Sequence, residues 1–132
     1  ELHGFLNYLV KCNLKKKKYF IFGYKGKQVR DNLHSYDLVN AFWHFYKKPR
    51  RGEVYNIGGS RINSCSILEA IKLIEQTTKI PMKYKLKFNN RVGDHICYIS
   101  NISKFKKDYP NWKIKFNLKN IINEIAQTVK NN

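Results

Sequence analysis

The sequence has 132 residues, 42% of them hydrophobic, and carries a formal net charge of +17 at pH 7. This length fits one domain with a core of its own. No apolar run approaches the roughly 20 residues that a membrane-spanning helix needs, and the first residues show no secretion signal. We therefore expect neither a membrane partner nor export.

The positive charge has two explanations. Lysine outnumbers arginine 21 to 5, Asn (15) and Ile (14) are abundant, and Ala (3) is scarce. Lys, Asn and Ile share AT-rich codons, so genome composition accounts for much of this bias. A nucleic-acid surface would instead gather basic residues on one face, between aromatic residues. The lysines are scattered apart from Lys15–Lys18, which favours the first explanation and leaves nucleic acid as the weaker alternative.

The cysteines and histidines indicate neither a disulfide framework nor a metal site. Cys12, Cys65 and Cys97 are odd in number, far apart, and form no Cys-x-x-Cys pair. Three free thiols suit a reducing compartment, so we expect a cytoplasmic protein. The four histidines show no metal-ligand spacing, and we therefore expect no bound metal.

The first third of the chain predicts a helix, a strand and a tight turn. Apolar spacing favours a helix at 4–13, and the β-branched and aromatic run Tyr19–Phe22 favours a strand. Glycines at both ends of 23–26 bracket a tight loop, and 28–30 is a short extended stretch. Arg30 therefore lies between a loop and a helix, where a guanidinium can hold a phosphate by bidentate hydrogen bonds.

A second helix is predicted at 35–48. Ser35 or Asn32 can cap it, and Asp37 falls in its first turn, where the helix dipole favours negative charge. Its apolar residues surround the axis: Leu38, Val39, Phe42, Trp43, Phe45 and Tyr46. Such a helix is predicted to be buried on more than one side.

The middle of the chain predicts one crossover of a parallel α/β sheet. Residues 53–57 are typical of a strand, which the glycine pair 58–59 ends. Ser66 and Glu69 have the spacing of a capping box, which opens a helix to about Lys79. Helix, strand and helix in this order favour an α/β fold.

The last third predicts short elements and a final amphipathic helix. Short strands are expected at 82–88 and 96–100, on either side of a loop at 89–95. A short helix is expected at 103–108, before a proline, and the last helix at 118–130 has apolar residues at helical spacing.

Four motifs resemble those of a known family and occur in its order. They are Phe-Gly-x-x-Gly-x-x-Val-Arg-Asp-x-x-His-x-x-Asp-Leu at 22–38, Glu53–Gly59, Ser64–Glu69 and Arg91–Asp94. They resemble the nucleotide-sugar epimerases and dehydratases of the extended short-chain dehydrogenase family, over nearly the whole chain. The residue sequence at 23–31 resembles the family's 2-epimerase branch more than its other branches.

This resemblance implies a domain organisation. Residues 1–132 would form the C-terminal, nucleotide-sugar-binding portion of a Rossmann-like fold, with its small substrate-binding subdomain. The family's NAD, and its catalytic Tyr and Lys, would belong to an N-terminal portion absent from this sequence. Tyr109 and Lys113 have the letter spacing of that pair but follow a helix end, so we expect them to be a chance match. This stretch alone is then expected to be inactive, and the full-length enzyme to be a homodimer.

The resemblance also assigns roles to individual residues. It implies that a nucleotide sugar is gripped by six of them: Arg30 and Arg91 on the diphosphate, Asp94 on the ribose, Tyr98 on the same nucleotide, and Phe20 and Phe22 beside the base. His34 and Asp37 would act in positioning and capping, whereas His95 and Cys97 match no family ligand and receive no role.

The residues alone leave structural alternatives open. Arg30 could pair with Asp31, and Arg91 with Asp94, as ordinary salt bridges. Tyr98 could be a strand aromatic in the core. Phe20 and Phe22 alternate on one strand and so share a face, which is expected to be core.

Overall fold

The computed structural model describes residues 4–89 and 92–131. Its elements confirm an α/β fold. Within the described ranges the helices are α1 (Phe5–Leu14), α2 (Ser35–Lys47), α3 (Ile67–Thr78), α4 (Ser103–Asp108) and α5 (Leu118–Asn131). The strands are β1 (Tyr19–Phe22), β2 (Val29–Asp31), β3 (Ser64–Ser66), β4 (Tyr84–Lys87) and β5 (Cys97–Tyr98).

The strands form two small sheets. β1 pairs in parallel with β4, and β2 lies between β3, which is antiparallel to it, and β5, which is parallel. In this second sheet Arg30 lies opposite Cys65 on one side and Tyr98 on the other. The sheet therefore brings Arg30, on the β1–β2 segment, beside the segment that follows Asp94.

The main core lies where α1, α3 and α5 pack together against β1. Leu9 and Val10 of α1, Ile21 of β1, Ile74 of α3 and Ile122 of α5 are all fully buried. Burial of a side chain of this size contributes about 1.5–3 kcal/mol. The predicted helices at 4–13, 66–79 and 118–130 are confirmed, because each carries an apolar stripe that this core covers. A second cluster packs around the buried Trp112.

The capping box is also confirmed. The Ser66 hydroxyl accepts from the backbone N–H of Glu69, and the Glu69 carboxylate accepts from the backbone N–H of Ser66. The two side chains thus satisfy N–H groups that the first turn of α3 leaves without helical partners.

The predicted parallel strand at 53–57 is wrong. These residues form no strand in the described structure, and the strand before α3 is instead the antiparallel β3. Strand formation needs a neighbouring ladder, and none of the described strands pairs with 53–57. The glycine pair that follows packs closely: a Cβ at Gly58 would clash with Ser100 and Asp31, and one at Gly59 with the Asn32 main chain.

The expected burial of α2 on more than one side is not met within the described residues. Among its residues only Asp37 and Ala41 are buried, and the side chains with more than half their area exposed include Val39 (63%), Phe42 (61%) and Tyr46 (74%). The described chain supplies a cover for one face of this helix only.

At the start of α2 the capping role that the resemblance gave to His34 is confirmed, whereas the alternative caps Ser35 and Asn32 are not used. His34 is the N-cap, and its Nδ1 accepts from the backbone N–H of Tyr36 at 3.0 Å, in place of Ser35 or Asn32. Asp37 is fully buried, and its carboxylate accepts from the backbone N–H groups of Lys115 and Phe116 at 3.0 and 3.1 Å. Both residues therefore position α2 against the segment before α5.

Tyr109 lies just beyond the C-terminal end of α4 and is buried. Its hydroxyl donates to the Lys48 carbonyl at 2.9 Å. Tyr109 is thus part of the second buried cluster, around Trp112. The spacing between Tyr109 and Lys113 therefore does not place them on one helix face.

Among the described helices, none is both long and apolar enough to cross a membrane.

Candidate nucleotide-binding pocket

A pocket of about 340 Å³ opens beside β1 and β2. Its walls come from α1, both strands, the start of α3 and the segment at 92–94: Phe5, Tyr19, Phe20, Phe22, Gln28, Arg30, Ile67, Val92, Gly93 and Asp94. Four of the residues to which the resemblance gives a role, Arg30, Asp94, Phe20 and Phe22, therefore lie around one cavity, although 64 residues separate the two charged ones.

Phe20 and Phe22 do not face the core, contrary to the expectation from the residues alone. The alternate residues of β1, Tyr19 and Ile21, are the buried ones. Phe20 keeps 41% of its area exposed, and the Lys87 ammonium lies over its ring at 5.4 Å from the centroid. The strand thus turns two aromatic side chains toward the pocket, where flat rings can contact a base.

Arg30 is held by the segment that carries Asp94. Its Nη2 donates to Asp94 Oδ1 and to the His95 carbonyl, both at 2.5 Å, and its Nη1 donates to its neighbour's carbonyl, Val29 O, at 2.7 Å. The side chains of Arg30 and Asp94 are 26% and 23% exposed. A guanidinium carries five N–H groups, so Arg30 keeps donors for a further partner.

The alternative ion pair, between Arg30 and Asp31, does not form. Asp31 Oδ2 accepts from the backbone N–H groups of Ser60 and Ser100 at 2.9 and 3.1 Å. Asp31 therefore ties the loop after the glycine pair to the segment after β5, and Arg30 is left to Asp94.

Tyr98 and Arg91 are the other two residues to which the resemblance gives a role. Tyr98 lies opposite Arg30 on β5 but is 54% exposed and is not among the residues that line the pocket. It is therefore not the core aromatic that the residues alone suggested. Arg91 lies outside the described residues, so its role stays a prediction.

Sequence reasoning missed Gln28. It lines the pocket and is only 6% exposed, and its Nε2 donates to the Phe22 carbonyl at 3.0 Å. Gln28 therefore links the end of β1 to the strand that carries Arg30. The available signal was its position two residues before Arg30, because side chains at this spacing share a face on an extended chain.

Cys65, on the strand next to Arg30, has no nucleophilic character. Burial raises the pKa of its thiol to about 11, the Glu69 carboxylate adds to the shift, and a hydrogen bond from Asn32 opposes it. The thiolate is the reactive form of cysteine, so this side chain stays protonated and inert at neutral pH.

The described residues do not fit a dinucleotide. The glycine turn at 23–26 joins β1 to β2, whereas a dinucleotide site needs a glycine-rich turn from a strand into a helix, with the pyrophosphate at the helix N-terminus. Among the described residues, the glycine turn beside this pocket therefore lacks the geometry of a dinucleotide-binding turn.

Comparisons with known proteins show which family this chain resembles. The profile of the NAD dependent epimerase/dehydratase family matches residues 1–58. The chain is similar to CDP-paratose 2-epimerase of Salmonella typhi, with 35% identity over 89 residues, which are 66% of this chain and 26% of that protein. It is also similar to UDP-glucose 4-epimerase of Mycoplasma genitalium, with 26% identity over 127 residues, 88% of this chain and 36% of that protein.

A solved structure shares the fold. The dTDP-glucose 4,6-dehydratase of Bacillus anthracis, solved in complex with NAD, aligns with a TM-score of 0.77 and 29% identity, over 98% of this chain and 40% of its own. The chain has the α/β fold of the extended short-chain dehydrogenases. These findings confirm its assignment to the NAD-dependent epimerase/dehydratase family, an enzyme family. The chain spans 26%, 36% and 40% of the three relatives.

Proposed function

We propose that this chain is the C-terminal, nucleotide-sugar-binding portion of an NAD-dependent sugar-nucleotide epimerase similar to CDP-paratose 2-epimerase. The observation that carries the proposal is the pocket that gathers Arg30, Asp94, Phe20 and Phe22. The cofactor and the proton-transferring residues belong to an N-terminal portion outside residues 1–132. The 132-residue stretch alone therefore neither retains NAD nor turns over a nucleotide sugar.

The chemistry of the pocket suits a nucleoside diphosphate. Arg30 offers charge-assisted hydrogen bonds to a diphosphate, and Arg91 is the proposed second cation. The carboxylate of Asp94 can accept from two neighbouring ribose hydroxyls, and Phe20 and Phe22 flank the base. A partly exposed ion pair contributes about 1 kcal/mol or less, so a diphosphate can draw Arg30 away from Asp94 at little cost. Tyr98, beside Arg30 on β5, reaches the same nucleotide from outside the pocket.

Contacts this far from the reacting carbon serve the chemical step indirectly. They orient the sugar and supply binding energy that the reacting centre can use. The full-length enzyme is proposed to be a cytoplasmic homodimer, and the free cysteines among the described residues fit a reducing compartment.

Two alternatives remain in view. The similarity to a UDP-glucose 4-epimerase and a dTDP-glucose 4,6-dehydratase supports a sister activity on another nucleotide sugar. The net charge of +17 supports a non-catalytic basic module for nucleotide sugars or nucleic acid. Nucleic-acid binding would fall steeply with salt because it releases counterions, whereas pocket binding of one nucleotide would fall less.

Replacement of Arg30 tests the proposal, in the protein as its native gene encodes it. We expect Arg30→Ala to weaken binding of CDP, UDP or dTDP by roughly 10- to 150-fold in calorimetric titrations, because a hydrogen bond to a charged group contributes about 1.5–3 kcal/mol. Arg30→Lys should restore part of the affinity, since an ammonium cannot reproduce the planar fork. Arg91→Ala is expected to act in the same way.

Arg61→Ala is the matched control, because it removes the same charge from an exposed residue outside the pocket. A purely structural Arg30 would give a lower melting temperature and normal affinity once folded. Unchanged affinity for all three nucleoside diphosphates in both Ala variants at 30 and 91 would overturn the site.

A further inference from the structure

The turn between β1 and β2 has an unusual backbone. Gly23 and Gly26 have φ values of +67° and +77°, and the two residues between them, Tyr24 and Lys25, have φ values of +45° and +52°. Left-handed backbone is rare for residues other than glycine, and strained conformations of this kind concentrate at functional sites.

The Tyr24 side chain reaches across the fold to the Asp94 segment. Its hydroxyl donates to the main-chain carbonyl of Asp94 at 3.2 Å, a contact between residues 70 positions apart. Arg30 donates to the carboxylate of the same residue and to the next carbonyl, that of His95. Two side chains from the β1–β2 segment thus hold Asp94, one by its main chain and one by its carboxylate.

Among the residues that the structure describes, few other contacts hold the segment 92–96. In residues 92–96 only Asp94 is partly buried, and Val92 and Ile96 are 106% and 63% exposed. A main-chain hydrogen bond from the Val29 N–H to the Ile96 carbonyl, at 2.9 Å, joins this segment to the neighbouring strand β2. Polar bonds, and not apolar packing, therefore set where Asp94 lies.

We infer that Tyr24 is a positioning residue for nucleotide binding, which holds Asp94 in place while Arg30 turns to the diphosphate. This inference rests on the proposed function. When a ligand takes the Arg30 guanidinium, the Asp94 carboxylate loses its partner, but the Tyr24 bond to the main chain stays. Asp94 then remains at the edge of the pocket, with its oxygens directed to the ribose.

Tyr24→Phe tests the inference because it removes only the hydroxyl. In the protein as its native gene encodes it, we expect CDP, UDP and dTDP affinities to fall about 2- to 12-fold, the range for one neutral hydrogen bond. The affinity for inorganic pyrophosphate should not fall, because pyrophosphate has no ribose for Asp94. Tyr36→Phe is the matched control: Tyr36 is 49% exposed on α2 and outside the pocket.

The outcomes separate this inference from the proposed function. Nucleotide affinity that is unchanged in Tyr24→Phe but lost in Arg30→Ala overturns the role of Tyr24 and leaves the pocket assignment intact. An equal loss for pyrophosphate and nucleotides in Tyr24→Phe overturns it as well, because the hydroxyl would then act through the phosphate site. Unchanged nucleotide affinity in both Arg30→Ala and Arg91→Ala refutes the proposed function, and the role of Tyr24 with it.

Discussion

The opposite charges of Arg30 and Asp94 have different effects on the binding of a diphosphate. Both lie at the wall of the same pocket, and the ion pair between them neutralises the cation that a diphosphate would need. A bound diphosphate would also bring its own negative charge close to the Asp94 carboxylate. For phosphate alone, the Asp94 carboxylate would weaken the binding that Arg30 favours. For a whole nucleotide, both residues would favour binding, Arg30 through the diphosphate and Asp94 through the ribose.

Asp94→Asn separates these effects. The amide oxygen can still accept from one ribose hydroxyl, so we expect nucleoside diphosphate affinity to fall by about 2- to 10-fold, less than in Arg30→Ala. Inorganic pyrophosphate should bind tighter by up to about 5-fold, because removal of a partly exposed charge changes the free energy by about 0.2–1 kcal/mol. Calorimetric titration of both ligands measures the two changes.

Glu53→Gln is the control for Asp94→Asn. It removes the same unit of charge at an exposed ion pair with Lys104, outside the pocket. Weaker pyrophosphate binding in Asp94→Asn would contradict the opposition between the carboxylate and the phosphate.

At the scale of elements, sequence periodicity predicted the helices, which depend on local spacing, but not the strand pairing, which depends on distant residues. The stripes of α1, α3 and α5 repeat every three to four residues and mark their own buried faces. The run 53–57 has the composition of a strand, but pairing depends on a partner far along the chain. The pocket shows the same limit: motifs singled out Arg30 and Asp94, while the pair that they form could not be predicted, because it joins positions 64 residues apart.

The capping box at the start of α3 gives a stability prediction. Ser66→Ala should lower the free energy of unfolding by about 1 kcal/mol, with a range of about 0.5–2. The pKa of Glu69 is lowered, first by the backbone N–H of Ser66 and then by its hydroxyl. A lowered folded-state pKa stabilises the fold above the unfolded value, about 4.3, and this part is lost as pH falls through the folded value.

Thermal unfolding at several pH values measures the Ser66→Ala effect. The difference in unfolding free energy from the native sequence should be full near neutral pH. It should narrow as the pH falls below the unfolded value of about 4.3 and through the lower folded-state pKa of Glu69. Ser103→Ala is the control, since Ser103 is the first residue of the short α4, where the N-cap position is Ile102 and makes no side-chain cap bond. A difference that widens in acid would show that the box does not act through the Glu69 carboxylate.

At the scale of the whole molecule, α2 exposes a large apolar surface that the described residues do not cover. Val39, Phe42, Trp43 and Tyr46 each expose more than half of their area, and an apolar surface of this kind usually marks an interface. The 132-residue stretch expressed alone should therefore bind a hydrophobic dye and aggregate or pack loosely. The same measurements on the protein as its native gene encodes it provide the comparison, and a sharp, cooperative transition from a dye-free monomer would contradict this prediction.

The two tryptophans occupy opposite environments, which gives the molecule two optical reporters. Trp112 is 1% exposed in the second cluster, and its Nε1 donates to the Asp37 carbonyl at 3.0 Å. Trp43 is 51% exposed on α2, stacked on Tyr46. Fluorescence of the first therefore follows loss of the fold, while the second responds to whatever covers α2, so a collisional quencher can distinguish their signals without an added label.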